Sequence, residues 1–315
     1  MSTTELVTHD GRFHADEVLA SVILSGLFPS ARLLRTRDPA LTAPAPGRIV
    51  YDVGRLHDPE RGAFDHHQPG APAREDGITL SSFGLVWRAF GREWLERVAG
   101  VPAEDAERVR EAMDRGFVRD VDAIDNGVAV PGGLSPLHLT QIIDAAAPDF
   151  DDPDPSAQEA GFWSAMGLAG AVLGNAARTV AARVRAERVV TAEIARQNGP
   201  ILELPFGMPW EGAVRRAGAD HVLLVIIPRE DHWTLSTVKA RPGSFDNRLD
   251  LPEAWAGLTD ADLERASGVG GATFAHSKRF FAAARTREAI MAMALAALEY
   301  APRPGHGLET GICSP

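Results

Sequence analysis

The chain has 315 residues, 45% of them hydrophobic, which is enough for a real core in one large or two medium domains and excludes a disordered or fibrous protein. Its formal net charge of −11 leaves no basic half or tail to grip a long duplex by counterion release, whereas a small phosphate-bearing substrate or a strand end drawn to bound cations stays open. The single cysteine, Cys313, excludes an intrachain disulfide and a cysteine-rich zinc site.

In chain order, residues 5–9 form a short extended run. Residues 14–28 then carry apolar side chains at helical spacing, with Asp16 and Glu17 in the first turn, where carboxylates favour the helix dipole. Residues 31–36 and 48–54 read as further strands, the second ending in Asp52 and Gly54. Strand, helix, strand, strand with short connections predicts a mostly parallel sheet flanked by helices, with its ligand site at the carboxyl ends of the strands. From about residue 81 helices dominate: Ser81 or Ser82 can cap the first, and Asn126-Gly127 stops the second. The stretch 148–155, rich in proline and aspartate, is the best linker, and another helical region covers about 156–198.

Beyond residue 200 the stretches at 201–204, 221–228, 233–240 and 272–277 read as strands, with helices around 251–267 and from Thr286 to Tyr300. The expected domains are therefore 1–198 and a smaller C-terminal α/β lobe at 199–301, followed by a mobile tail at 302–315. No apolar run approaches the roughly 20 residues that span a bilayer. Residues 1–10 lack a basic segment followed by an apolar stretch, so no secretory or transit segment is expected and the cytoplasm is the expected compartment.

Five of the ten histidines fall between residues 9 and 67, accompanied by aspartates. His9 closes the first strand, His14 and Asp16 open the next helix, Asp52 ends the third strand, and Asp65-His66-His67 follows. Sequence 118–127, "VRDVDAIDNG", adds further aspartates. A histidine and aspartate set without cysteine suits hard to borderline ions, Mn²⁺ first, then Co²⁺, Mg²⁺ or Zn²⁺. Two such ions sharing a bridging carboxylate can activate water and hold an oxyanion at once, as phosphoester cleavage requires.

The blocks "THDGRFHADEVLA", "IVYDVG", "FDHHQ", "LSSFGLVWRAFG" and "FVRDVDAIDNG" together resemble the Myg-one family, relatives of the DHH phosphoesterase superfamily that includes RecJ-type exonucleases, nanoRNases and manganese pyrophosphatases. The resemblance continues through "SFDNRLDLPEAWAGL", "SGVGGATFAHS" and "RTREAIMAMA", over about residues 6–298. It implies a DHH-phosphoesterase-like fold with the active site between lobes, and a 3′-to-5′ exonuclease acting on RNA or short oligonucleotides. It implies that His9, His14, Asp16, Asp52 and His66 hold the metals, with Asp52 bridging, and that Asp122 or Asp125 completes the set. His67 would face the substrate phosphate and Asp65 would orient the ligand from behind. In the second lobe His276, Lys278, Arg248, Arg285 and Arg287 would contact substrate phosphates. The family commonly has a Gly-Gly pair before "RTRE", and this chain has Ala283-Ala284, which puts a close backbone contact with substrate in doubt.

Blander alternatives stand beside these. His9 and His14 can be a strand-end and a helix-start residue, Asp52 a turn former, Asp125 part of a helix stop, and Arg285 and Arg287 solvated or paired with Glu288. The same site could serve a small-molecule phosphohydrolase acting on pyrophosphate, a cyclic dinucleotide or a nucleotide. It could equally belong to a non-catalytic metal- or nucleotide-binding module. A homodimer stays open.

Overall fold

The structure is a computed structural model that describes residues 3–128, 139–149, 152, 154, 156–244 and 246–300. The expected tail at 302–315 and part of the expected linker at 148–155 lie outside the described residues. The chain divides into two compact units, Met1–Val184 and Arg185–Pro315.

The first unit begins with β1 (Glu5–Thr8), α1 (Ala15–Leu27), β2 (Arg32–Arg35), the short α2 (Pro39–Thr42) and β3 (Arg48–Tyr51). A two-stranded hairpin follows, β4 (His57–Asp58) and β5 (Ala63–Phe64), closed by a 3₁₀ turn at Pro59–Arg61. These strands form one sheet in the order β2-β1-β3-β5-β4. β1 is parallel to β2 and β3, and β3 is parallel to β5; only β4 runs antiparallel, at the edge. The mostly parallel sheet is thus present. Periodicity missed β4 and β5 because strands of two residues are too short to show an alternation.

α3 (Ser82–Arg97) starts where Ser81 Oγ accepts the Gly84 N–H at 3.3 Å, an N-cap. It packs on α1, and its Phe83, Trp87 and Trp94 are all buried. Residues 103–127, expected as one helix, form α4 (Ala103–Met113), a π-helical turn (Asp114–Val118) and α5 (Arg119–Asp125), which ends at Asn126-Gly127 with Gly127 at φ 71°. After the short α6 (Leu139–Asp144), the 41-residue α7 (Ala157–Gln197) places Phe162, Ala165, Ala169, Leu173, Ala177, Ala181 and Val184 in the first unit's core, a three-and-four spacing that makes one apolar stripe.

The second unit contains β6 (Ile201–Glu203), α8 (Glu211–Arg216), β7 (Leu224–Pro228), β8 (Trp233–Thr237), α9 (Asp260–Ser267), β9 (Ala272–Ala275), β10 (Phe281–Ala284) and α10 (Arg287–Tyr300). Its sheet runs β6-β7-β8-β10-β9, antiparallel except for the β6/β7 pair. The continuous apolar run of β7 serves both faces: Leu224 and Ile226 join one core, Val225 and Ile227 the other. The helical stretch expected over 251–267 reduces to a 3₁₀ turn at Glu253–Trp255 and α9. β10 went unpredicted because its alanines carry no β-signal. Ala283 and Ala284 lie inside that strand, buried at 7% and 0% exposure, where their methyl groups pack in the sheet. No helix among the described residues is long and apolar enough to cross a membrane.

Candidate metal centre

Three parallel strands end along one edge of the first sheet, and each is followed at once by a chemistry-bearing residue. The registers Val7↔Val50 and Tyr51↔Phe64 carry His9, Asp52 and Asp65 to the same level just past β1, β3 and β5. Asp52 takes φ 56°, a left-handed conformation that aspartate tolerates better than most residues. Its N–H donates to Phe64 O at 3.3 Å. Gly54 follows at φ 94°, and a Cβ there would lie 2.9 Å from Thr42 O, so only glycine fits.

The N-terminus of α1 faces the same edge. His14 is its N-cap, and its N–H donates to both Glu17 oxygens, at 3.0 and 2.9 Å. Asp16 and Glu17 are buried at 1% and 0% exposure. His9 Nδ1 lies 2.9 Å from Asp10 O, which places the ring proton there and turns Nε2 to the cluster. That Nε2 lies 3.1 Å from Glu17 Oε1 and 3.2 Å from Asp52 Oδ2. On the other side of Asp52, His66 Nε2 stands 3.3 Å from Oδ1, 3.5 Å from Asp125 Oδ2 and 3.9 Å from Asp16 Oδ2. The two oxygens of Asp52 thus serve two different imidazoles.

The start of α3 supports this arrangement. Ser82 Oγ donates to Asp52 Oδ1 at 3.0 Å, and the Ser82 N–H points at Asp16 Oδ2 at 3.3 Å. A helix N-terminus directed at two buried carboxylates offsets part of their repulsion.

His9, His14, Asp16, Asp52, His66, His67 and Asp125 all fall into groups of three whose ligand atoms lie within 4.8 Å of one another: His9/His14/Glu17, Asp52/His66/His67, Asp16/His66/Asp125 and Asp16/Glu17/Asp52. Asp122 stands apart from these groups. It is fully buried, accepts from Ser81 N (3.0 Å) and Ser81 Oγ (2.7 Å), and pairs with Arg74 Nη2 at 2.6 Å. Its carboxylate is already engaged by Ser81 and by Arg74, which also binds Asp114, whereas Asp125 lies in the group with Asp16 and His66.

Asp65 departs from its expected part. The ring it orients belongs to His67, Nδ1 to Oδ1 at 2.8 Å, while His66 offers it only a backbone N–H at 2.7 Å. Glu17 is the residue that sequence reasoning assigned to the helix dipole alone. Its position three residues after the cap was the available signal, since a capping-box glutamate folds back toward the helix start.

In the second unit three arginines are committed to other partners. Arg248 donates to Ala219 O and Val222 O and pairs with Asp220; Arg287 pairs with Glu203 through two hydrogen bonds; Arg285 lies 3.7 Å from Asp260 and 3.6 Å from Glu264. His276 Nδ1 accepts the Lys278 N–H at 3.0 Å, and the Lys278 side chain is exposed with no ion pair among the described residues.

The protonation pattern shows what charge the centre demands. Burial opposes the charged form of His9, yet Asp52 and Glu17 outweigh it and push its pKa up to about 10. His66 is likewise raised against burial, by Asp52 and Asp125. Burial, with Asp52 and Asp125 nearby, drives Asp16 well above the usual carboxylate range. Burial also lifts Asp125 to about 6, His66 opposing and Asp52 adding. Asp52 is held low despite its burial by contacts with His66 and His9. Carboxylates gathered this closely need positive charge among them, and oxygen and imidazole donors at this spacing fit divalent cations of the Mn²⁺, Mg²⁺ or Zn²⁺ type.

Comparison with known proteins agrees with the sequence resemblance. The family model MYG1 exonuclease, described as an uncharacterised protein family (UPF0160), matches residues 5–298. The MYG1 exonuclease of Mus musculus is 32% identical over 337 residues, covering 96% of this chain and 87% of that protein. The MYG1 exonuclease of Homo sapiens is 32% identical over 328 residues, covering 95% and 86%. Among solved structures, RecJ from Thermus thermophilus in complex with Mn²⁺ aligns with a TM-score of 0.28 and 16% identity over 95% of this chain. The chain spans about half of that RecJ, 52% of its length, and nothing about this chain follows from so distant a match. With a family model matched over nearly its whole length and relatives at 32% identity along both units, the chain belongs to the MYG1 exonuclease family.

Proposed function

We propose that the chain is a metal-dependent phosphodiesterase, a 3′-to-5′ exonuclease on RNA or short oligonucleotides, with the first unit catalytic and the second binding substrate. The observation that carries this reading is the division of Asp52, whose Oδ2 faces His9 at 3.2 Å and whose Oδ1 faces His66 at 3.3 Å. A carboxylate so placed can serve two cations at once. The names of the relatives, MYG1 exonuclease, point to the same chemistry.

On this reading His9, His14, Asp16, Asp52, His66 and Asp125 would hold two divalent ions, Mn²⁺ in first place. Bound there, the ions would supply Lewis acidity and a nucleophile at neutral pH. The chain's own residues do the positioning. Asp10 O fixes the tautomer of His9, Ser82 fixes Asp52, and Asp65 fixes the Nδ1 edge of His67. Asp65 also raises the His67 pKa and so favours its imidazolium, and in that form His67 Nε2, on a side chain 57% exposed, would donate to a phosphoryl oxygen of the substrate. Lys278, exposed and without an ion pair among the described residues, is the second unit's best phosphate contact. Arg248, Arg285 and Arg287 would have to exchange acidic or carbonyl partners for substrate.

A small-molecule phosphohydrolase is the second reading, favoured by the cavity of about 480 Å³ over the cluster, which suits a mononucleotide-sized ligand. The experiment is a panel of end-labelled RNA, single-stranded DNA, dinucleotides and pyrophosphate, with Mn²⁺ added after chelation, alongside elemental analysis of the purified protein. Release of 3′-terminal nucleotides from RNA supports the proposal. Cleavage of pyrophosphate alone selects the second reading, and no Mn²⁺-dependent turnover on any member overturns both.

A further inference from the structure

The turn after β3 places three residues in left-handed backbone within four positions: Asp52 at φ 56°, Gly54 at φ 94° and Arg55 at φ 56°. Aspartate and glycine enter that region at little cost, but an arginine there is strained relative to glycine. The strain is held in place from one side. The Arg55 N–H donates to Asp65 Oδ2 at 2.5 Å, and the other oxygen of Asp65 binds the His67 ring. Arg55 is thereby locked to the Asp-His-His loop.

Its side chain is exposed, and the guanidinium makes no hydrogen bond or ion pair among the described residues. It lines the cavity of about 480 Å³ that His9, His14, Asp52 and His67 also line, and Arg37 is the other arginine on the wall. Arg37 has a partner, Asp10, at 3.3 Å, on the surface. An anionic substrate entering this cavity meets Asp52 and the neighbouring buried acids Asp16 and Glu17. A guanidinium fork beside them offsets that repulsion and can present two parallel N–H groups to phosphate oxygens.

We propose that Arg55 binds the substrate's phosphate at this site, as a residue governing affinity for phosphate mono- and diesters, and that its left-handed backbone is retained for the side chain it presents. The assignment rests on the phosphodiesterase reading. It concerns the first unit alone and a residue that no motif in the sequence singled out.

The test uses the full chain with added Mn²⁺ and the variants Arg55→Gly and Arg55→Lys. Glycine keeps the backbone conformation and removes the guanidinium, so Arg55→Gly keeps its fold and melts no lower than the parent. Its Mn²⁺ affinity by calorimetry stays within threefold. Its KM for end-labelled RNA, and its Kd for adenosine 5′-monophosphate, rise roughly 10- to 100-fold, the loss of one charge-assisted contact, while kcat falls less. Arg55→Lys lies between, since a point charge replaces a fork. A KM and a nucleotide Kd within twofold of the parent in Arg55→Gly overturn the assignment. If the parent cleaves no phosphoester, the phosphodiesterase reading fails. The nucleotide titration still decides on Arg55: loss of binding in the glycine variant supports the anion site, and unchanged binding removes it.

Discussion

Replacing Asp52 with asparagine separates charge from shape at the centre of the cluster. Asparagine occupies the same volume and accepts the left-handed φ of 56°, so neither the backbone nor the packing against Ser82 is disturbed. What disappears is the negative charge shared by His9 at 3.2 Å and His66 at 3.3 Å, together with one of two acceptor oxygens. Removing one partner from a buried, hydrogen-bonded set of charges costs about 3–5 kcal/mol, or roughly two to four powers of ten in an equilibrium constant. Because Asp52 is only 4% exposed, solvent does little to screen that loss. The expected result is at least a hundredfold weaker Mn²⁺ binding by isothermal titration calorimetry, with a matching loss of phosphodiesterase turnover at fixed Mn²⁺. The metal-free protein should keep its far-UV circular dichroism. With Asp52 gone, the His9 pKa should also fall from about 10, which an NMR titration of the imidazole reads directly. Wild-type Mn²⁺ affinity and turnover in Asp52→Asn would refute the idea that this carboxylate bridges two cations.

Asp122 and Asp125 should behave oppositely. Asp125→Asn weakens Mn²⁺ binding and leaves thermal stability near the parent's, whereas Asp122→Asn removes one of the two carboxylates that hold Arg74, costs about 1.5–3 kcal/mol in denaturant unfolding and affects metal binding less. Ser82→Ala, which removes the hydroxyl donor to Asp52, lowers Mn²⁺ affinity by roughly 10- to 100-fold in the same calorimetric assay. Gly54→Ala forces a side chain into φ 94° and onto Thr42 O, and it should destabilise the protein by more than about 1 kcal/mol in denaturant unfolding.

How far the site could be read in advance depended on the kind of residue. Asp65, His66 and His67 stood out because three such side chains in a row serve no core, and His9, His14, Asp16 and Asp52 because each sits at the boundary of a periodic element. Glu17 did not stand out, since a first-turn glutamate has an ordinary explanation in the helix dipole. Nor did Ser82 or Arg55: a serine beside a helix cap is common, and an arginine in a turn gives no sign of its φ. Asp122 and Asp125 are three residues apart on one helix, so spacing alone puts both on the same face. Their fates divide because Arg74 and Ser81, more than 40 positions upstream, reach the first and not the second.

The mostly parallel first sheet, the helical middle and the second α/β unit followed from local pattern, because apolar spacing and capping residues act within one element. Which carboxylates share a space, which arginines are already neutralised and which backbone turns are strained could be decided only by the packed chain. Those outcomes depend on strand register and on partners tens of residues away, and periodicity within a short window carries no record of either.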